Sequence, residues 1–309
     1  DHRDLHSFPT RRSSDLLVEE NIAKPILIGN KKEIKKIIQD NNIDDTGFKI
    51  VDPDNFSDLE KYINELYLMR QRKGLTLTEA KELIKNRNYF GSMMVHFNEA
   101  EGLISGLTSH YPETIRPALQ IIKLASDVKK VCGLYIVLVK KHVYFFADTT
   151  VNVDPTAEDL AEIAIQTANT VKRFGITPRI AMLSFSNFGS AVTPQSDKVK
   201  RATELVKKAN PELMIDGEMQ ADTAVVPEIL ADEYPFSQLK GRANVLVFPN
   251  LESGNIAYKL LARIGGADVI GPILMGLSKP AHVLQKGADI NDIVNMAAIA
   301  VVEINEKLK

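Results

Sequence analysis

The chain has 309 residues, 44% of them hydrophobic, and its 38 Lys and Arg against 40 Asp and Glu give a formal charge of -2. That length supports one large or two modest domains, and the near balance of charge offers no electrostatic basis for binding nucleic acid. No apolar run approaches the roughly 20 residues of a membrane-spanning helix, so no membrane association is expected.

The first fifteen residues, DHRDLHSFPTRRSSD, are polar and without apolar period, and HSFPTRRSSDL reads as the translation of a sequencing adapter. They are expected to be an artefactual tail, and the fold reading starts at Leu16. Lys24 to Gly29 reads as a buried strand, Ile34, Ile37 and Ile38 fall at helical spacing, and Phe48 to Val51 is a second strand, which together make a β-α-β unit. Leu59, Tyr62, Ile63, Leu66 and Tyr67 form a helical stripe stopped near Gly74, and Thr76 to Glu79 has the spacing of a capping box. Pro112 suits the start of a further helix.

Cys132 is the single cysteine; it has no partner for an internal disulfide or a zinc site, and it reads as a small core residue in a reducing compartment. It opens a strand pattern at Leu134 to Val139 that returns through Lys140-Lys141 as His142 to Ala147, an antiparallel hairpin. Asp154-Pro155-Thr156 starts a long helix, and strands at Arg179 to Leu183, Leu213 to Ile215 and Asn244 to Phe248 alternate with helices after it. The class is α/β, with a parallel or mixed sheet covered on both faces.

No G-x-G-x-x-G follows a strand and no G-x-x-x-x-G-K-[ST] occurs, so nicotinamide chemistry has no support. Gly265, Gly266, Gly271 and Gly276 read as turn and close-packing residues. The six histidines show no metal-ligand spacing; His96 and His110 lie in a polar region and read as ordinary hydrogen-bonded residues. Ser184 to Ser190 follows a strand directly, where hydroxyls and free backbone N–H groups can hold an anion or an acyl carbonyl, although Ser/Gly loops of this kind are common. Asp289 to Asp292 opens an apolar helix, and by composition alone Asp292 is a first-turn carboxylate favoured by the helix dipole.

The segments YPETIRPALQII, DPTAEDLAEIA, AMLSFSNFGS, MIDGEMQADTA, ANVLVFPNLESGNIAYK, GPILMGLSKPAHVL and DIVNMAA, in this order, resemble the phosphate acetyl/butyryl transferases, or phosphotransacetylases, over Leu16 to the C terminus. SFSNFGS and HVLQKG are similar to the version that forms the C-terminal part of bacterial NADP-dependent malic enzymes. The resemblance implies a two-domain layered α/β fold with mixed sheets, like that of isocitrate and isopropylmalate dehydrogenases, with coenzyme A bound between domains. It implies domains of 16–127 plus 285–309 and of 128–284, the first lacking its opening strand. It also implies at least a homo-oligomer, a cytoplasmic location, and no metal or covalently bound cofactor.

The family's chemistry is reversible acetyl transfer between coenzyme A and phosphate. By this resemblance Arg70 and Arg116 hold the phosphate, a task suited to the guanidinium fork, and Asp292 is the base that takes the thiol proton. Gln285 and Lys286 stand at the acyl end, and Ser184, Ser186, Gly189, Ser190, Asn255 and Gly276 take the acyl-CoA. The chain departs from the family pattern where Gln285-Lys286 replace Ser-Arg and where Ser186-Asn187-Phe188-Gly189-Ser190 replace S-T-K-G-S. Loss of a transition-state donor costs roughly 100- to 1,000-fold in rate. The reading adopted on that ground is an acyl-CoA-binding regulatory domain of a malic enzyme, which converts malate to pyruvate and CO2, with its catalytic half missing. The alternatives are an active phosphate acetyltransferase, with acetyl-CoA, acetyl phosphate and phosphate as partners, and a structural module that mediates oligomerisation.

Overall fold

A computed structural model describes residues 8–108, 110–285 and 287–307. The chain divides into two compact units, one ending at Ala125 and resuming at Leu277, the other running from Ser126 to Gly276. The expected return at residue 285 therefore comes eight residues earlier. The cause is visible in the pairing: Ala281–Val283 is a strand that lies parallel to Leu103–Ser105, deep in the first unit's sequence.

In the first unit, α1 (Phe8–Glu19) packs on the last helix, α12 (Ile290–Lys307). Of the stretch expected to be an artefactual tail, residues 1–7 lie outside the described residues, while Ser13 and Ser14 are buried. Strand β1 (Ile26–Ile28), helix α2 (Lys31–Asp40) and strand β2 (Lys49–Val51) form the parallel β-α-β unit read from the sequence. Helix α3 (Leu59–Arg70) buries Tyr62, Ile63 and Leu66, three of its predicted stripe. Helix α4 (Leu77–Leu83) is opened by the Thr76–Glu79 capping box, in which both reciprocal bonds form.

Helix α5 (Arg87–His96) is buried at every position from Asn88 to Val95, so it has no amphipathic period for a sequence reading to find. Strand β3 (Leu103–Ser105) and helix α6 (Tyr111–Ile121), with Pro112 in its first turn, follow. The core of this unit gathers Tyr62, Ile63, Leu66, Ile84, Tyr89, Phe90, Met93 and Ile121.

The second unit is built on a six-stranded sheet. Its strands are β4 (Cys132–Val139), β5 (His142–Ala147), β6 (Arg179–Leu183), β7 (Met214–Met219), β8 (Val245–Val247) and β9 (Asp268–Met275), in the order β7-β6-β8-β5-β4-β9. Strands β5 to β8 run parallel, so their C-terminal ends open on one edge; β4 runs against β5 and β9, which makes the sheet mixed. The predicted hairpin turns at Lys140-Lys141, with Val139 opposite His142.

Helices α7 (Ala157–Arg173) and α8 (Pro194–Ala209) pack against β5, β6, β7 and β8. Ala181, Leu183, Leu246 and Phe248 cluster instead with Ala224, Leu230 and Tyr258 of α9 (Ala221–Val225), α10 (Pro227–Glu233) and α11 (Leu251–Arg263). Alternate strand residues thus serve opposite faces, and the sheet is covered on both. Of the four glycines read as turn and close-packing residues, Gly265, Gly271 and Gly276 are closely packed and Gly266 has positive φ, while the segment between Gly266 and Gly276 is largely strand β9. Its Pro272 is tolerated because β9 lies at the sheet edge, where one row of backbone groups is unpaired. The remaining strand, β10, is the Ala281–Val283 segment described above.

Candidate active site

Arg70 ends α3 and Arg116 lies in the middle of α6, both in the first unit. Arg70 is half-buried and Arg116 exposed, and among the described residues neither pairs with a carboxylate. Tyr89 of α5, in the same unit, is buried. Burial raises the Tyr89 pKa above its usual value, while the positive charges of Arg116 and Arg70 pull it back. Tyr89 Oη donates to Gln120 Oε1 at 2.8 Å, and Gln120 stands one helical turn beyond Arg116 on α6. A guanidinium group without a carboxylate partner is suited to holding an anion.

In the same unit Asp292 sits in the first turn of α12 and is half-buried. Asp292 N donates to Asp289 Oδ1 and Asp289 N to Asp292 Oδ2, each at 2.9 Å, a reciprocal cap of the helix. Asp292 Oδ1 has no partner among the described residues. Gln285 is exposed, with its carbonyl accepting from Ala288 N at 3.1 Å; Lys286 lies outside the described residues.

The predicted acyl-CoA residues all lie in the second unit. Ser184 to Ser190 follows β6 at the edge where the parallel strands end. The expectation of free backbone N–H groups there needs correction. Ser186 N donates to Ser184 Oγ, Asn187 N to Ser190 Oγ, Phe188 N to Glu218 O, Gly189 N to Glu218 Oε1 at 2.6 Å, Ser190 N to Asn187 O, and Ala191 N to Ser186 Oγ.

Ser186 is fully buried, and its hydroxyl lies 3.1 Å from Glu218 Oε1, so it builds the loop from within. What the loop presents outward is the ring of Phe185, 57% exposed, with Gly189 and Ser190 exposed and Ser184 half-buried. Glu218, itself buried, is the organising group that sequence reading missed; inside IDGEMQ its only signal is an acid in an apolar strand.

Asn255, on α11, donates weakly to Thr149 O at 3.4 Å and so touches the loop after β5. That loop is fixed by buried Asp148, which accepts from the backbone N–H groups of Gly133, Thr150, Val151 and Asn152. Gly276 has φ +95°, and a Cβ there would come within 2.9 Å of Gln166 Oε1 and Lys130 O; its glycine is a packing and backbone requirement. Among the described residues no three His, Cys, Asp or Glu gather to hold a metal, and no helix is long and apolar enough to cross a membrane.

The fold is that of an α/β protein of two units, the second built on a mixed sheet. The family model for Phosphate acetyl/butaryl transferase matches residues 8–301, and the chain belongs to that family. It is 42% identical over 283 residues to the phosphate acetyltransferase of Bacillus subtilis (strain 168), covering 92% of this chain and 87% of the relative. It is also 42% identical over 301 residues to the phosphate acetyltransferase of Thermoanaerobacterium thermosaccharolyticum, covering 95% and 91%. The crystal structure of a phosphotransacetylase from Streptococcus pyogenes superposes with a TM-score of 0.90 at 41% identity, covering 96% of this chain and 90% of that one. These matches bear out the expected fold class. They overturn the reading as a malic-enzyme regulatory domain: the relatives are phosphate acetyltransferases aligned along most of their own length, and nothing in the matches points to a malic enzyme.

Proposed function

We propose that this protein is a phosphate acetyltransferase, moving an acetyl group reversibly between coenzyme A and phosphate. The observation that carries the reading is that Arg70 and Arg116, in one unit, have no carboxylate partner among the described residues. In this reading Asp292 takes the proton of the coenzyme A thiol through its second oxygen. The thiolate sulfur attacks the acetyl carbonyl carbon of acetyl phosphate, the carbonyl-to-phosphate C–O bond breaks, and phosphate leaves with its charge met by the two guanidinium groups. Gln285 and Lys286 serve the acyl end; Ser184, Ser190 and Asn255 serve coenzyme A. Acetyl-CoA, acetyl phosphate and phosphate are the substrates.

The test is thioester formation from coenzyme A and acetyl phosphate by the full chain. Each of Arg70→Ala and Arg116→Ala should raise KM for acetyl phosphate by roughly 10- to 100-fold, the loss of one charge-assisted contact, with KM for coenzyme A little changed. Absence of turnover in the folded wild-type protein would overturn the reading.

A further inference from the structure

We propose that the Tyr89 hydroxyl is a third ligand of the anion held by Arg70 and Arg116, donating a hydrogen bond to an oxygen of phosphate or acetyl phosphate. The inference rests on the reading of this cluster as the phosphate site and adds a residue from a different helix. Three observations carry it.

Tyr89 lies on α5, whose other residues from Asn88 to Val95 are packed into the core, so its ring is fixed and its hydroxyl has a defined position. That hydroxyl bonds Gln120, which stands one helical turn beyond Arg116 on the same face of α6, and the positive charges of Arg116 and Arg70 both act on it. Its single partner among the described residues is Gln120 Oε1 at 2.8 Å, a neutral side chain that can turn away or present its NH2 group instead. When an anion arrives, the hydroxyl proton can rotate from Gln120 to the anion's oxygen, and the Gln120 amide can turn to donate to the Tyr89 oxygen. No proton changes owner. Because burial holds the hydroxyl protonated, Tyr89 adds a donor without adding a negative charge beside the anion.

Tyr89→Phe keeps the packed ring and removes only the donor. In the full-length protein it should raise KM for acetyl phosphate and for phosphate roughly ten-fold or more, leave KM for coenzyme A unchanged, and leave the melting temperature close to that of wild type. The rise in melting temperature that inorganic phosphate gives the wild-type protein should shrink correspondingly. Gln120→Ala separates this from a structural role: if Tyr89 serves only to hold α6 through Gln120, the two variants will raise KM for phosphate equally, and the proposal fails. A larger effect in Tyr89→Phe supports it. If Arg70→Ala and Arg116→Ala weaken phosphate while Tyr89→Phe does not, this inference alone is overturned. If the arginine variants also leave phosphate binding intact, the phosphate site itself is misplaced and the inference falls with it.

Discussion

Asp292 is assigned two tasks that a pair of substitutions can separate. One carboxylate oxygen, Oδ2, accepts from Asp289 N and closes the cap of α12, while Oδ1 has no partner among the described residues and is the oxygen assigned to the thiol proton. In Asp292→Asn the amide oxygen can still accept from Asp289 N, so the loss is chiefly the charge at the helix N-terminus, about 0.3 to 1 kcal/mol. In Asp292→Ala the Asp289 N–H loses its acceptor as well, adding about 0.5 to 1.5 kcal/mol; the bond from Asp292 N to Asp289 Oδ1 survives because it uses the backbone. Stability should therefore fall in the order wild type, Asn, Ala, by small steps. Activity should not follow that order: both variants lose the base and should drop by roughly 100- to 10,000-fold together. A free thiol has a pKa of about 8.5, so the residual rate of either variant should climb about ten-fold per pH unit between pH 6 and 8 as solution thiolate replaces the missing base. Thioester formation monitored across that range, beside urea denaturation of the same samples, reads both quantities. An Asn variant that keeps more than a tenth of the wild-type rate at pH 7, or activities that track stability, would refute the assignment.

Three further outcomes follow from the geometry. Ser186→Ala removes a buried hydroxyl that bonds Glu218 and satisfies Ala191 N, and should cost about 1 to 3 kcal/mol in urea denaturation; exposed Ser190→Ala should cost less, and equal losses would count against Glu218 as the loop's organiser. Gly106 has φ +141°, and a Cβ there would lie 2.2 Å from Leu284 O, so Gly106→Ala should destabilise the first unit by roughly 2 to 5 kcal/mol; a melting point unchanged within a degree would contradict the β3–β10 pairing. Burial alone would raise the Asp159 carboxyl, but bonds from Lys130 and Thr156 hold it below its usual value, so its stabilisation is full above about pH 4 and is lost as pH falls through the lower folded value. The stability gap between wild type and Asp159→Asn should therefore be constant above about pH 5 and shrink as the pH falls below about 4; a gap that widens on acidification would contradict it.

The parts of the fold legible in the sequence are those in which a local pattern decides the structure. The Thr76 capping box, the helix start at Asp154-Pro155-Thr156, the Lys140-Lys141 hairpin and the β1-α2-β2 unit each depend on residues a few positions apart. What stayed hidden depends on partners far along the chain. Strand β3 is three residues between glycines and becomes a strand by pairing with β10, some 180 residues later. Strand β9 carries Gly271-Pro272, which reads as punctuation until an edge position makes it tolerable. Of the candidate site, Arg70, Arg116 and Asp292 could be singled out only through family resemblance, because an arginine on a helix and an acid in a first turn are ordinary by composition. Tyr89 and Glu218 had no such help: one sits in a helix buried all round, the other in a short strand, and the role of each comes from atoms contributed by other elements.

A side-chain departure from the family pattern need not remove chemistry, and the Ser184 to Ser190 loop shows why. Phe188 stands where the family pattern has lysine, yet its ring packs on Tyr234 and Phe236 at centroid separations of 5.1 and 5.0 Å, so the change is absorbed by an aromatic cluster in the protein itself. The bonds that shape the loop there are made by the Phe188 and Gly189 N–H groups to Glu218, and a backbone donor is indifferent to the side chain beside it. Asn187 replaces threonine, and its side-chain oxygen accepts from Gln220 N at 2.7 Å, a task open to a hydroxyl as well. A loop held by one buried carboxylate and its own backbone can exchange two of its five side chains and keep its form, so the departures within this loop are weak grounds for inferring a loss of turnover.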